Sequence, residues 1–167
     1  MALARAHAEV DALGHDPTTA DLPALPWVSA IVKEAMRLYP PAWAMGREAI
    51  APISIRGHRI EPGQQIAVSP WILHHDPRWW IEPNAFRPER WTNGETEGLP
   101  RMAFLPFGGG PRVCIGNHFA TMEAVLVLAT LLRHRTVERT DAPDPRLLPA
   151  VTLRPRGGLP LRVCARP

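Results

Sequence analysis

The chain has 167 residues, 46% of them hydrophobic, enough for one ordinary domain with a packed core. Its formal net charge of +3 is carried by scattered arginines, since Lys33 is the only lysine; without a dense basic block or interleaved aromatics, nucleic-acid binding is not expected. The two cysteines, Cys114 and Cys164, have no evident pairing, which points to a reducing compartment, and the longest apolar run, Ala124 to Leu132, is too short to cross a bilayer. No signal-peptide pattern is visible, and the wealth of Ala, Arg and Pro suggests a GC-rich bacterial source, so a cytoplasmic bacterial protein is expected.

In chain order, residues 2–13 read as a short helix ended by Gly14, and His15 to Asp21 as a polar loop around Pro17. Between Trp27 and Tyr39, apolar Val28, Ile31, Val32, Ala35 and Met36 recur at helical spacing, and Pro40-Pro41 stop the helix. Glu34 and Arg37 lie three apart on one face and can pair; taken alone, that is the pattern of a common solvated ion pair. Three strands follow, at Met45–Ile50, Ile53–Ile60 with a break at Gly57, and Gln65–Ser69, with Glu61-Pro62-Gly63 as a turn. They predict one small antiparallel sheet.

Residues 70–106 hold many prolines and Trp71, Trp79, Trp80 and Trp91. A short helix near Trp71–His75 and then an irregular meander are expected, packed through its tryptophans and Phe86, because disordered segments are poor in aromatics. His74-His75-Asp76 invites a metal reading, but adjacent histidines point differently and seldom share an ion without further ligands. A long helix spans Asn117 to His134, with Phe119, Met122, Leu126, Ala129 and Leu132 marking its buried face. Leu147–Leu153 and Leu159–Cys164 read as strands around Arg156-Gly157-Gly158. The predicted class is mainly α with small antiparallel β-sheets.

The residues with the most chemical content are 107–116, Phe-Gly-Gly-Gly-Pro-Arg-Val-Cys-Ile-Gly. Cys114 precedes the long helix, whose unpaired first-turn N–H groups favour an anion, and Arg112 adds a positive charge nearby. Gly108, Gly109, Gly110 and Gly116 remove side chains, so a flat ligand can approach and N–H groups can turn toward sulfur; Phe107 and Ile115 are expected to wall off water. One thiolate cannot complete a zinc site. It suits haem, whose porphyrin supplies the iron's other in-plane ligands.

Phe107-x-x-Gly110-x-Arg112-x-Cys114-x-Gly116 resembles the haem-binding loop of the cytochrome P-450 superfamily. Glu34-x-x-Arg37 resembles that family's Glu-x-x-Arg, and Pro88-Glu89-Arg90 its Pro-Glu-Arg. The resemblance covers nearly all of the chain but only the family's C-terminal part. It implies a single partial domain over 1–167, lacking the distal oxygen-activating helix with its acid-alcohol pair, and it leaves room for a membrane anchor ahead of the chain.

The resemblance further implies haem b, with Cys114 as axial iron ligand and Phe107, Gly108, Gly110, Arg112 and Gly116 around it. Arg112, and Arg47 with it, would reach the propionates. Glu34, Arg37 and Arg90 would form a buried network behind the haem. Ala42, Trp43, Ala44 and Met45 would line the substrate side, with the turn at Gly157-Gly158-Leu159. His118 would not be a second axial ligand, because it lies on the cysteine's side. The implied reaction is insertion of one oxygen atom from O2 into an apolar small molecule, with electrons from a ferredoxin or flavin reductase. Arg101, Arg112 and Arg133 would present positive charge to an acidic donor. Peroxygenase, isomerase or dehydratase chemistry, and a non-catalytic haem-binding remnant or truncated fragment, remain open alternatives; the chain alone is expected to be inactive.

Overall fold

The computed structural model describes residues 2–166. Helices α1 (Ala2–Asp11), α2 (Pro26–Leu38) and α4 (Asn117–His134), with a 3-10 turn at Thr19–Ala24, enclose a core of Ala6, Val10, Leu25, Trp27, Val28, Ala30, Val32, Val125, Ala129 and Leu132. Helix α2 begins on Pro26, whose missing N–H costs nothing at a first helical position. Its next two N–H groups are capped from outside the helix. Both Glu9 carboxylate oxygens of α1 accept from it, from Trp27 N–H and Val28 N–H, each at 2.8 Å. One side chain therefore both docks α1 and starts α2. The predicted helix 2–13 stops two residues early, and Gly14 takes up the positive φ that ends the turn.

Four two-stranded antiparallel sheets surround the helices. Strand β1 (Met45–Glu48) pairs with β4 (Gln65–Val68), placing Arg47 opposite Ile66. Strands β2 (Ile53–Ile55) and β3 (His58–Ile60) form a separate hairpin. Its turn, Arg56-Gly57, has φ of 49° and 83°, the doubly left-handed geometry that suits a two-residue hairpin loop. The expected single sheet is thus two sheets, and the break at Gly57 is a chain reversal.

Beyond α4, strand β5 (Arg135–Arg139) starts directly at the helix end and pairs with β8 (Leu161–Ala165). The sequence reading had no strand at β5. The expected strand Leu147–Leu153 is also corrected: β6 (Leu147–Pro149) folds back on β7 (Leu153–Pro155). Arg166 closes this end, donating to Leu132 O at 2.7 Å and pairing with Asp11 of α1.

Between β4 and α4 the chain has little regular structure beyond α3 (Pro70–His74) and 3-10 turns at Pro88–Trp91, Arg101–Ala103 and Gly110–Arg112. The expected aromatic packing is present in part. Trp80, Trp91 and Phe104 form a cluster with centroids 4.7–6.3 Å apart, whereas Trp79 and Phe86 lie toward solvent. The buried face of α4 is narrower than its periodicity suggests. Val125, Ala129 and Leu132 are buried, but Phe119 is 63% exposed.

Candidate functional site

Glu34 and Arg37, on the last two turns of α2, are completely buried. Arg37 is chemically full: each of its five N–H bonds has an acceptor. Nε and one Nη2 hydrogen go to Glu34, at 3.0 and 2.9 Å. The other three reach the carbonyls of His74, Pro83 and Ala85, at 2.7, 2.7 and 3.0 Å. The guanidinium thus binds the loop after α3 to α2.

Glu34 also accepts from Arg90 Nε at 3.1 Å, Trp91 Nε1 at 2.9 Å and the Arg87 backbone N–H at 2.9 Å. Burial alone pushes the Glu34 carboxyl up. The bonds from Arg37, Arg87 and Trp91 outweigh it and hold the group below the usual carboxylate range. Arg90 is also buried; it reaches Glu95 on its far side and donates to Ile81 O at 3.1 Å. Glu95 pairs in turn with Arg87 at 2.9 Å. Both Arg37 and Arg90 lie within 6 Å of the Trp80 ring. Buried charges survive only when paired and bonded, and every member here is.

The structure therefore brings Glu34, Arg37 and Arg90 together. Sequence reasoning missed Glu95, Arg87 and the Trp91 indole, of which only Trp91 carried a signal, by following Pro88-Glu89-Arg90 directly; His74 stood out in His74-His75-Asp76, but without a link to Arg37.

The cysteine loop lies beside this network. The 3-10 turn Gly110–Arg112 precedes Cys114, whose N–H donates to Phe107 O at 3.0 Å, and Gly108 N–H donates to Leu105 O at 3.2 Å. Two glycines are structurally required. Gly108 has φ +77°, and a Cβ on it would sit 3.1 Å from Met45 Sδ. Gly110 has φ +71°, and a Cβ there would meet no protein atom within 4 Å, because it faces an open groove.

That groove, of about 300 Å3, is lined by Met45, Arg47, Val68, Met102, Leu105, Gly109 and Gly110. Arg47 and the loop glycines thus share one site. Arg47 and Arg112 are exposed, and neither forms an ion pair among the described residues; the Arg47 guanidinium bonds only the adjacent Gly46 carbonyl. Cys114 is exposed and free, and a Cβ on Gly116 would lie 3.9 Å from its sulfur. Phe107 is half-buried, but Ile115 is fully exposed, so it shields nothing within this chain and the expected desolvation of the thiol is not reached.

The substrate-side residues divide. Ala42 and Trp43 are half-buried and Ala44 is exposed. The Trp43 indole donates to Ala150 O at 2.8 Å, and its own carbonyl accepts from Ser69 Oγ at 2.8 Å. Gly158 lines a different hollow, with Arg146, Arg156 and Pro160, and does not share the Arg47 groove. Arg101 is exposed as a docking residue would be, but Arg133 is tied to Val10 O and Asp16 and offers little free charge. His118 is exposed, with its N–H capped by the Asn117 side chain.

The whole arrangement is similar to the crystal structure of the cytochrome P450DA heme domain, with a TM-score of 0.91 and 32% sequence identity over 99% of this chain and 37% of that one. A family model described as Cytochrome P450 matches residues 2–161. The chain belongs to the cytochrome P450 family.

Two relatives from Streptomyces melanosporofaciens add detail. Cyclooctatin synthase is 36% identical, over 96% of this chain and 35% of its own length. Cyclooctat-9-en-7-ol 5-monooxygenase is 39% identical, over 76% of this chain and 28% of its own length. The chain spans about a third of the length of the curated relatives it matches. Membership and fold imply haem binding, and no helix among the described residues is long and apolar enough to cross a membrane.

Proposed function

We propose that the chain is the haem-binding portion of a haem-thiolate monooxygenase, with Cys114 as the thiolate that would hold the iron. One observation carries the reading: an exposed thiol, a glycine-flattened groove and two unpaired arginines lie along a single loop and the strand beside it. Haem b, when bound, supplies the activation of O2 and the insertion of one of its oxygens into an apolar molecule.

The chain's own residues supply the setting. The Cys114 sulfur is the anionic ligand, on a backbone pinned to Phe107 O. Gly108, Gly110 and Gly116 keep the loop free of side chains on the ligand side, and Phe107 packs against it. Arg112 and Arg47 would bind the haem propionates through charge-assisted hydrogen bonds. Glu34, Arg37 and Arg90 hold the scaffold behind the loop, and Ala42, Trp43 and Ala44 would line the substrate side, with Gly158 reaching it only from its separate hollow. A cytoplasmic ferredoxin or flavin reductase supplies electrons. The two Streptomyces relatives, one of them a cyclooctat-9-en-7-ol 5-monooxygenase, favour a largely apolar, alcohol-bearing small molecule as substrate.

The exposure of Ile115 and Phe119 favours a second reading for the chain alone, as a haem holder that does not turn over. The test is to load the purified chain with haemin, reduce it and add CO. The far red-shifted Soret band of thiolate ligation is expected, lost in Cys114→Ser and kept in Cys164→Ser. Its absence from the parent, or its survival in Cys114→Ser, rules the assignment out.

A further inference from the structure

The buried network and the cysteine loop share few direct bonds, and one of them passes through a histidine that the reading above leaves without a role. His74 is wholly buried at the end of α3. Its Nδ1 lies 3.2 Å from the Arg37 carbonyl, and its Nε2 accepts the Leu105 N–H at 2.8 Å. A carbonyl on one side demands a donor and an N–H on the other demands an acceptor. The ring is therefore the neutral tautomer protonated on Nδ1. Its orientation is fixed twice more: the Arg37 guanidinium donates to the His74 carbonyl at 2.7 Å, and the ring packs on Phe104 with centroids 5.2 Å apart.

Leu105 is the other end of the connection. Its carbonyl accepts from Gly108 N–H at 3.2 Å, and its side chain would lie 3.2 Å from a Cβ on Gly109. Two residues on, Phe107 O holds the Cys114 N–H. A continuous set of bonds thus runs from Arg37 through His74 and Leu105 to the loop that carries the thiol.

We propose that His74 is a positioning residue: its Nε2 bond to Leu105 N–H transmits the geometry of the buried Glu34–Arg37 network to the cysteine loop and sets where Cys114 stands. The inference rests on Cys114 being the haem ligand, but the mechanical link can be measured without haem.

Three variants separate the two ring nitrogens. In His74→Gln the amide oxygen extends about as far as Nε2 and still accepts from Leu105. In His74→Asn the amide extends only as far as Nδ1 and keeps the Arg37 side. His74→Leu keeps neither. Losing one partner of a buried hydrogen bond is expected to raise amide exchange of Gly108 and Cys114 about tenfold in the haem-free chain. That rise is expected in His74→Leu and His74→Asn, with His74→Gln within about twofold of the parent. In the haem-loaded chain, the Leu and Asn variants are expected to lose the thiolate Soret band at unchanged haem content, and the Gln variant to keep it.

The proposal is overturned if His74→Leu leaves exchange of the loop unchanged, or if Asn protects the loop as well as Gln. It is equally overturned if the variants expose the α4 amides as much as the loop, which is the behaviour of a general core residue. A parent chain with no thiolate band would sink the haem reading instead, while the exchange data would still decide the role of His74.

Discussion

Two regions packed against each other show opposite chemical economies. Behind the loop, Glu34, Arg37 and Arg90 are withdrawn from water, and each of the three charges is paired within the chain. On the loop, Cys114, Arg112 and Ile115 face outward, and Arg47 bonds only its neighbour. The first region is where the chain holds its shape, and the second is where it has groups to offer a ligand. The difference teaches that, of these two regions, this chain keeps the paired charges inside and the unpaired ones at the loop and its groove.

The strongest way to break this contrast is Glu34→Ala, which leaves Arg37 and Arg90 buried without their shared carboxylate. A loss of about 3–5 kcal/mol is expected by urea denaturation. Haem incorporation should fail outright in Glu34→Ala and in Arg37→Ala; normal haem content in either variant would show that the network is not needed for the site.

Acid is the next lever. Burial above all, then the charges of Arg37 and His75, pushes His74 down to about 4 from an ordinary 6.5, against the opposing pull of its bond to the Arg37 carbonyl. The unfolded chain takes up that proton first. Stability from this group is therefore complete above pH 6.5 and is lost as pH falls toward 4. The expected loss is on the order of 3 kcal/mol, and in His74→Gln that part of the pH dependence should vanish from the denaturation midpoints.

Trp91→Phe keeps the aromatic cluster but removes one donor from Glu34, at about 1.5–3 kcal/mol for a bond to a charged group. Gly108→Ala is expected to cost about 1–2 kcal/mol, from its left-handed backbone and the crowded Met45 sulfur. At the small end, Cys114→Ser should stay within about 0.5 kcal/mol of the parent by the same denaturation assay, since the side chain is exposed. A large loss there would mean that the loop is part of the stable core, and the contrast would fail.

Much of this was legible in the sequence because its causes are local. The periodicity of Val28, Ile31, Val32 and Ala35 and the stop at Pro40 give α2, and the glycine spacing around Cys114 gives the loop. The unread parts have distant causes. Arg87 reaches Glu34 only through its backbone N–H, 53 positions away, and Glu95 joins the network only through Arg90 and Arg87, so neither side-chain type announces a link to Glu34. Strand β5 starts where α4 stops, with no Gly or Pro between them, and the alternation Arg-Thr-Val-Glu-Arg is weakly apolar. The turn between β6 and β7 falls on Ala150-Val151-Thr152, which carries no turn residue. Ile115 and Phe119 were read as buried because apolar side chains usually are, and here they lie on the outward face.

The saturation of Arg37 also governs its reactivity. A guanidinium with all five hydrogens engaged and no access to solvent cannot be approached by a dicarbonyl such as phenylglyoxal, whereas Arg47 and Arg112 stand open to it. In the native chain the reagent should mark Arg112 of the loop and Arg47 of β1 early and leave Arg37 and Arg90 unmodified. Adduct formation at Arg37 then becomes a clock for global opening of the fold, readable by mass spectrometry on the same sample that reports the accessibility of the site.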